Sequence, residues 1–359
     1  MTGAGSPEMR RLGRMARLAI QPFARRPRLI RALMATGLLS RDFPLPRRVR
    51  QELDTAERKL QGRSVWTLTP KDAAPDAPLI LYLHGGAYVC GIAPPHWQFL
   101  TTLARGGAVV EVPLYGLAPR HDFRHAYGLL DALWAEIARR HPDRPVTLMG
   151  DSAGGGLALA FAMHLRDTGR SLPGRLVLIA PWADITCSDP EVHEHRHDDP
   201  MLARAGALLA GAAWANGAVP HDPRLSPING EMAGLPPTDL YQGTRDMLRP
   251  QVEALAERMR AAGVRVDLTL CPGGLHVYPI FDAPESNAAT ARISARTPSR
   301  SERPSAVIET VHWRRLPDLS LDTRPRCWSS SRCLPSRSTT TSRKKRRKCS
   351  RKRASPAST

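Results

Sequence analysis

The sequence predicts an α/β fold in which a mainly parallel central sheet is flanked by helices. Short apolar runs with strand character alternate with amphipathic helical segments between about residues 64 and 270, and this alternation is typical of βαβ units. In addition, a glycine-rich turn at residues 150–155 joins a strand pattern directly to a helical pattern, with one serine at the junction. The length of the chain allows one large α/β domain or two smaller ones, and both observations predict βαβ units in a mainly parallel sheet.

Charge divides the 359-residue chain into three parts. Residues 1–50 carry a net charge of +10 and residues 299–359 one of +13, whereas residues 51–298 carry −4. A nearly neutral middle is typical of a soluble enzyme, and blocks of like charge are typical of tails or interaction segments. We predict a basic helical lid segment at 1–55, a catalytic domain at 56–298 and a disordered Arg/Ser/Pro-rich tail at 299–359.

The N-terminal segment has two interpretations. Leu12, Met15 and Leu18 lie at helical spacing among arginines, and Pro22 and Pro27 interrupt the pattern. A basic amphipathic helix can lie on an anionic membrane surface. A helical lid over the entrance to an active site is preferred, because the apolar face is short and the prolines break it.

The remaining elements follow from hydrophobic periodicity. Residues 51–62 continue the helical pattern. Strands are predicted at 64–68, 79–83, 108–112, 145–149, 175–180, 239–242 and 264–270. Helices are predicted at 97–105, 125–140, 153–168, 201–215 and 251–262. The predicted elements end with the strand at 264–270, and hydrophobic periodicity disappears after about residue 295. The tail is interpreted as disordered or as an out-of-frame extension rather than as a nucleic-acid-binding arm.

The cysteines argue against a disulfide framework and against a zinc site. The six cysteines form no CxxC pair, and three of them lie in the basic tail, which fits a reducing compartment. We expect neither a secretory signal nor a membrane span, because the first residues lack a continuous apolar core with a small-residue cleavage site and no uncharged run approaches membrane-spanning length. We predict a cytoplasmic protein that can associate with a membrane surface through its basic ends.

One histidine cluster, at residues 193–197, resembles a metal-binding sequence. In an extended segment its three histidines share a face. No second shell of supporting residues is evident, so we interpret the cluster as a solvated loop. The sequence therefore predicts no metal and no cofactor.

The turn Gly150-Asp151-Ser152-Ala153-Gly154 has the pattern G-x-S-x-G. Between a strand and a helix, this pattern forms a sharp turn that exposes the serine as a nucleophile. Glycines are needed there because larger side chains collide with the neighbouring strand and helix. We predict that Ser152 is the nucleophile.

A serine hydroxyl needs a base that removes its proton during attack, and the partners of such a serine come from the ends of later strands. Asp246 lies in the turn after the strand at 239–242, where it is a candidate acid. The alternative for Asp246 is an N-cap of the following helix. His276 lies in the loop after the last strand and is the candidate base, because the other histidines lie within helices or distant loops.

A third group must stabilise the oxyanion that forms during attack. The backbone N–H of Ala153 is one candidate donor. Further donors are expected from His84-Gly85-Gly86-Ala87, which follows the strand at 79–83. A glycine pair after a strand is also found in ordinary turns. This motif therefore indicates an oxyanion site only in combination with Ser152, Asp246 and His276.

Together these motifs resemble the hormone-sensitive-lipase-like family of α/β-hydrolase esterases, which is marked by HGGG and GDSAGG motifs. The resemblance covers about residues 60–296 and rests on residues 84–87, residues 150–155, Asp246 and His276. It implies that Ser152 is the nucleophile, His276 the general base and Asp246 the acid that orients it. Gly86, Ala87 and Ala153 would donate to the oxyanion, and Gly85 would shape the turn. Ala87 replaces the third glycine, and we expect a negative φ there if its N–H is to donate.

These residues predict a carboxylic-ester hydrolase that acts on short- to medium-chain acyl esters through an acyl-serine intermediate, without a cofactor. Lactones or acetyl esters are alternative substrates within the same family. A different class of function, an inactive hydrolase fold held on anionic surfaces by its basic ends, is the second alternative. The expected partner is a small-molecule ester, with peripheral contact to anionic membrane and no specific nucleic acid.

Overall fold

Eight strands form one sheet in the order β1-β2-β4-β3-β5-β6-β7-β8. The strands are β1 (Leu53–Leu60), β2 (Arg63–Pro70), β3 (Leu79–Leu83), β4 (Val109–Pro113), β5 (Val146–Asp151), β6 (Arg175–Ile179), β7 (Thr238–Arg245) and β8 (Val266–Leu275). The β1/β2 and β2/β4 pairs are antiparallel, and all the other pairs are parallel. The mainly parallel sheet predicted from the sequence is confirmed.

Helices precede, connect and follow the strands. They are α1 (Pro7–Ala19), α2 (Gln21–Ala24), α3 (Pro27–Thr36), α4 (Arg47–Glu52), α5 (Pro94–Arg105), α6 (Phe123–Arg140), α7 (Ser152–Asp167), α8 (Pro190–His195), α9 (Arg204–Ala215), α10 (Arg249–Ala261) and α11 (Pro284–Arg296). No helix in the described part of the chain has the length and apolar content that a membrane crossing requires.

Alternation of side chains along each strand builds a core on both faces of the sheet. On one face, Leu79, Leu81 and Leu83 of β3 pack in the cluster that contains α6, α7 and α10. On the other face, Ile80 and Tyr82 pack in the cluster that contains α5 and α11. Since β3 is buried on both faces, its continuous apolar run is what a central parallel strand requires.

The computed structural model describes residues 5–142, 144–195 and 198–297, without the side chains of 193–195. These residues all belong to a structural unit that spans residues 1–306. The tail predicted at 299–359 and its disorder lie outside the described residues. The domain boundaries at 55 and 298 stay predictions.

The helix predicted across residues 51–62 is wrong over most of its length, because β1 occupies Leu53–Leu60. Its sequence is rich in helix-forming residues, but pairing with β2 overrides that preference. Gln61 and Gly62 both have positive φ, at 47° and 75°, which is the conformation of a two-residue hairpin turn. The charged residues of β1 suit its position at the sheet edge, where charges discourage pairing with another chain.

Helix α11 is not among the elements that the sequence predicts. Ala289 and Ile293 are buried against the core, and Ser286 donates to the carbonyl of Tyr278 at 2.6 Å. The apolar stripe is only a few residues wide, so its periodicity is weak in the sequence. This helix closes the face of the sheet that α5 covers.

The parallel strands place their carboxyl ends along one edge of the sheet. The loops after β3, β5, β7 and β8 therefore meet at that edge, although they are far apart in the sequence. All the candidate catalytic residues lie in these loops.

Candidate active site

Ser152 lies at the junction of β5 and α7. Its φ is 51°, a backbone conformation that non-glycine residues adopt rarely and mostly at functional sites. A Cβ at Gly150 would lie 2.3 Å from the carbonyl oxygen of Gly154, and one at Gly154 would lie 2.0 Å from that of Leu83. Gly150 is thus required by the close approach of the first turn of α7, and Gly154 by the close approach of that turn to β3.

His276 joins Ser152 to Asp246. Its Nε2 lies 2.8 Å from Ser152 Oγ, and its Nδ1 lies 2.7 Å from Asp246 Oδ2. A carboxylate next to Nδ1 favours the tautomer with the proton on that nitrogen. Nε2 is then free to accept the serine proton, which is the arrangement of a Ser-His-Asp triad.

The carboxylate of Asp246 is fixed by further bonds. Gln242 Nε2 donates to Oδ2 and the Leu248 N–H donates to Oδ1, each at 2.8 Å. Asp246 is not the N-cap of α10, since that position is Leu248. The structure therefore brings together the three side chains that the sequence singled out.

The pKa of His276 is raised above its ordinary value of 6.5. Burial opposes protonation, but the charge and hydrogen bond of Asp246, together with the charges of Asp199 and Asp151, outweigh it. The negative charges around the ring thus favour the imidazolium that forms when the base takes a proton.

Asp199 was missed by sequence reasoning. It is fully buried, and its carboxylate accepts the N–H groups of Met201 (2.7 Å), Leu202 (2.8 Å) and Met247 (2.9 Å). Burial, followed by the charge of Asp246, raises the pKa of Asp199. Through these hydrogen bonds Asp199 links the loop before α9 to the turn that carries Asp246. Its position before Pro200 was the only local signal, and no spacing rule links it to the triad.

The loop after β3 supplies the candidate oxyanion donors. The Gly85 N–H is already used, because it donates to Asp151 Oδ1 at 2.7 Å. Gly86 and Ala87 line the same cavity as Ser152, and within the described part of the chain their N–H groups donate to no other residue. Ala153 lies in the first turn of α7, where N–H groups lack an intrahelical acceptor.

The negative φ expected at Ala87 is wrong. Gly86, Ala87 and Tyr88 have successive φ values of 110°, 53° and 62°. The φ of a residue rotates its own side chain and carbonyl, whereas the direction of its N–H is set by the preceding peptide plane. A positive φ at Ala87 therefore leaves its N–H in place, at the cost of a conformation that alanine adopts reluctantly.

Asp151 and His96 form a buried network beneath this loop, and the sequence prediction did not include either. Asp151 Oδ1 accepts from the Tyr82 hydroxyl at 2.5 Å as well as from Gly85, and Oδ2 lies 3.3 Å from His96 Nε2. The Ala93 N–H donates to His96 Nδ1 at 3.0 Å, so Nε2 carries the proton that faces Asp151. Burial disfavours the Asp151 carboxylate, but these contacts hold its pKa below the ordinary value.

A cavity of about 320 Å³ opens over Ser152 and His276. The N-terminal segment lines it with Ile20, Phe23, Ala24, Ile30 and Leu39, and the α9 region with Ala203, Gly206, Ala207 and Ala210. The side chains of the predicted lid thus cover the site. Among the described residues, no lysine or arginine lines this cavity.

The described residues contain no group of three or more His, Cys, Asp or Glu side chains that could hold a metal ion. The side chains of the histidine cluster at 193–197 lie outside the described residues.

A buried serine, histidine and aspartate at the carboxyl edge of a parallel sheet define a serine hydrolase. A family model described as the alpha/beta hydrolase fold matches residues 80–280. The chain belongs to this family.

Relatives and solved structures agree with that assignment. An acetyl-hydrolase of Streptomyces hygroscopicus is 32% identical over 210 residues, which cover 58% of this chain and 70% of that protein. An esterase of Acinetobacter venetianus is 30% identical over 222 residues, covering 60% and 73%. The crystal structure of an esterase from the bacterial hormone-sensitive lipase family superposes with a TM-score of 0.69 at 30% identity, covering 81% of this chain and 97% of that one. The predicted family resemblance and the enzyme class, a carboxylesterase- or lipase-like serine hydrolase, are confirmed.

Proposed function

We propose that the enzyme hydrolyses short- to medium-chain acyl esters through an acyl-serine intermediate. Ser152 attacks the carbonyl, and His276 takes its proton and returns it to the leaving alcohol. Water, activated by the same imidazole, then releases the acid. The observation that carries this proposal is the hydrogen-bonded series Ser152 Oγ, His276 and Asp246, with contacts of 2.8 and 2.7 Å.

Asp246 acts by orienting the imidazole, since both of its oxygens are held by other donors. Gly86, Ala87 and Ala153 are proposed to donate N–H groups to the oxyanion, and Gly85 to shape the loop. This division of roles is supported by the bond from the Gly85 N–H to Asp151, which removes Gly85 from the donor set. Fixed donors of this kind stabilise charge that develops only in the transition state.

The cavity supports an uncharged substrate. Among the described residues its lining is mainly aliphatic, and apart from the Cys90 thiol its ionisable side chains are His96, Asp151 and His276, so a charged acyl or alcohol group would lose hydration without gaining a partner. Acetyl esters are the second candidate, because one relative is named an acetyl-hydrolase. The inactive-fold alternative is less well supported, since the three side chains are already in hydrogen-bonding positions.

A series of 4-nitrophenyl esters from acetate to decanoate tests the proposal. We expect a maximum in kcat/KM at a short or medium chain. Ser152→Ala should lower kcat about 10⁶-fold, since removal of a serine nucleophile costs about that much in a comparable triad. Ser171→Ala is the matched control, because Ser171 is exposed and its hydroxyl forms no hydrogen bond within the described structure. Equal activity of the two variants would contradict the proposal.

We also propose that the protein is cytoplasmic and that its basic ends contact anionic membrane. Cys90, Cys187 and Cys271 are free thiols in the structure, which supports the cytoplasm as a reducing compartment. The charge of the two ends supports peripheral contact with anionic membrane. Fractionation of cells that express the tagged full chain would test both.

A further inference from the structure

The N-terminal segment, residues 5–41, has an outer surface that covering the cavity does not require. Among the described residues, eight large hydrophobic side chains are exposed, and five of them lie between residues 15 and 38, with a sixth at Phe43. Their exposed fractions run from 40% to 81%. Such a concentration is typical of an interaction surface, whereas scattered exposed residues are not.

Helix α1 presents this surface in an ordered way. Its buried residues are Met9, Gly13 and Ala16, and helical periodicity places residues 11, 14, 15 and 18 on the opposite side. We call Arg11, Arg14, Met15 and Leu18 the docking face. Leu18 is 81% exposed and Met15 is 56% exposed. Within the described structure, neither Arg11 nor Arg14 forms an ion pair or a side-chain hydrogen bond.

The docking face adjoins the entrance to the cavity. Ile20 follows α1 directly, is 43% exposed and also lines the cavity over Ser152. Phe23 and Ala24 of α2 continue the lining inward. The same segment therefore faces solvent with one set of side chains and the substrate site with another.

The charge of the segment identifies the kind of partner. Residues 5–41 contain nine arginines and one acid, Glu8, a net charge of +8. Arginines beside exposed aliphatic side chains fit a surface that offers both phosphates and hydrocarbon. The outer surface of a nucleic-acid duplex offers phosphates but no continuous apolar layer to Met15 and Leu18, and a second copy of this chain would place +8 against +8.

We propose that the docking face binds an anionic phospholipid surface, so that lipophilic esters enter the cavity from the lipid–water interface. The binding step stands on the surface itself, and the delivery of esters rests on the proposed esterase function. Arg11 and Arg14 contact lipid phosphates, and Met15 and Leu18 enter the boundary between the lipid headgroups and the acyl chains. Ile20 then lies where the interface meets the entrance to the cavity.

Co-sedimentation of the full chain with phosphatidylcholine vesicles, with and without about one third phosphatidylglycerol, tests the binding step. We expect binding to the anionic vesicles that weakens as salt is raised. Met15→Ser with Leu18→Ser should weaken this binding about tenfold or more, and so should Arg11→Gln with Arg14→Gln. Val219→Ser is the matched control, because Val219 is 68% exposed and lies outside the segment.

Because the basic tail is present in every variant, only the difference between variants reports on the docking face. Unchanged vesicle binding by both double variants would overturn the proposal. A dimer in solution that Met15→Ser with Leu18→Ser dissociates, without an effect on vesicles, would also overturn it and would assign the face to a second copy. Binding of duplex DNA that exceeds vesicle binding, and that needs Arg11 and Arg14 alone, would overturn it in favour of a nucleic-acid surface.

Two substrates separate this proposal from the esterase proposal. The Met15→Ser, Leu18→Ser variant should hydrolyse dissolved 4-nitrophenyl acetate within about twofold of the wild type, because neither residue lines the cavity. On 4-nitrophenyl decanoate held in anionic vesicles, its rate should fall with its vesicle binding. If the wild type binds vesicles but hydrolyses neither ester, the esterase proposal fails and the docking face stands. Equal rates for the variant and the wild type on the vesicle-held ester would overturn the delivery step.

Discussion

The floor and the roof of the cavity are built in different ways. The floor consists of the sheet-edge loops that carry Ser152, Asp246 and His276, and its polar contacts are 2.7–2.8 Å long. The roof consists of α2, α3 and α9, which contribute aliphatic side chains and small residues to the cavity. Directional bonds fix the position of the reacting groups, whereas apolar packing tolerates small displacements. The floor should therefore control the rate of the chemical step and the roof the choice of ester.

The largest effect should come from the floor. Asp246→Asn is expected to lower kcat about 10⁴-fold with little change in fold, since an amide there stabilises the wrong tautomer of the histidine. Steady-state hydrolysis of 4-nitrophenyl butyrate is the measurement. Asp72→Asn, an exposed aspartate remote from the site, is the control. A loss below about tenfold would mean that His276 does not depend on this carboxylate.

The buried network of Asp151, His96 and Tyr82 under the loop after β3 should give the next largest effect. The carboxylate oxygens of Asp151 accept hydrogen bonds from Tyr82 and Gly85 and contact His96. Asp151→Asn replaces one of these oxygens with an amide group that cannot accept. We expect kcat to fall about 100-fold, because the N–H donors of the loop after β3 would shift. KM should stay nearly constant, and binding of a boronic-acid transition-state analogue should weaken in parallel with kcat. Tyr82→Phe, which removes one bond of the same network, should lie between this variant and the wild type. A rise in KM at constant kcat would assign Asp151 to substrate binding instead.

The pH dependence of kcat/KM reports on the charges around the base. In the proposed mechanism only the neutral form of His276 accepts the Ser152 proton, and the pKa of His276 is raised above 6.5. Activity should therefore fall as the pH drops through that pKa, with a midpoint above 6.5. Asp199→Asn removes one of the charges that raise the pKa of His276. The loss of activity on the acid side of the pH profile should therefore move to lower pH. If the midpoint of that loss of activity is the same in this variant as in the wild type, Asp199 has no electrostatic role, whatever the change in absolute rate.

The smallest effect should come from the roof. A Cβ at Gly206 would lie 2.7 Å from the carbonyl oxygen of Ala24 and 3.0 Å from Ile30 Cδ1, so Gly206→Ala displaces the N-terminal segment from α9. We expect a KM change of about threefold to tenfold that depends on acyl length, with kcat for the acetate unchanged. Gly128→Ala in α6 is the control, since only the Gln61 side chain, at 3.4 Å, lies near its Cβ position. Identical chain-length profiles for the two variants would show that the roof does not select substrates.

The contrast between floor and roof also explains what could be predicted from the sequence. Ser152, Asp246 and His276 each follow a strand directly, and parallel strands deliver their ends to one edge, so local patterns sufficed to bring them together. Asp199 and His96 come from loops and helices whose distance from the site depends on tertiary packing, and no spacing in the sequence indicates it. Strand β1 was read as a helix for the same reason, since its hydrogen bonds to β2 outweigh the preference of its residues. Neither the positive φ of Ala87 nor the close approach of Cys90, whose carbonyl oxygen would lie 2.5 Å from a Cβ at Gly86, is indicated by the local sequence.

Helix α7 begins at Ser152, the proposed nucleophile, and runs for 16 residues, with no acid in its first turn and with His164 and Arg166 in its last. The aligned peptide dipoles of such a helix act like about half a positive charge at its N-terminus. A carbonyl bound beside Ser152 is therefore polarised by the backbone before any proton moves. No substitution of a side chain removes this field. Variants with Ser152→Ala or His276→Ala should therefore still bind anionic tetrahedral mimics, such as borate or phosphonate, at the N-terminus of α7.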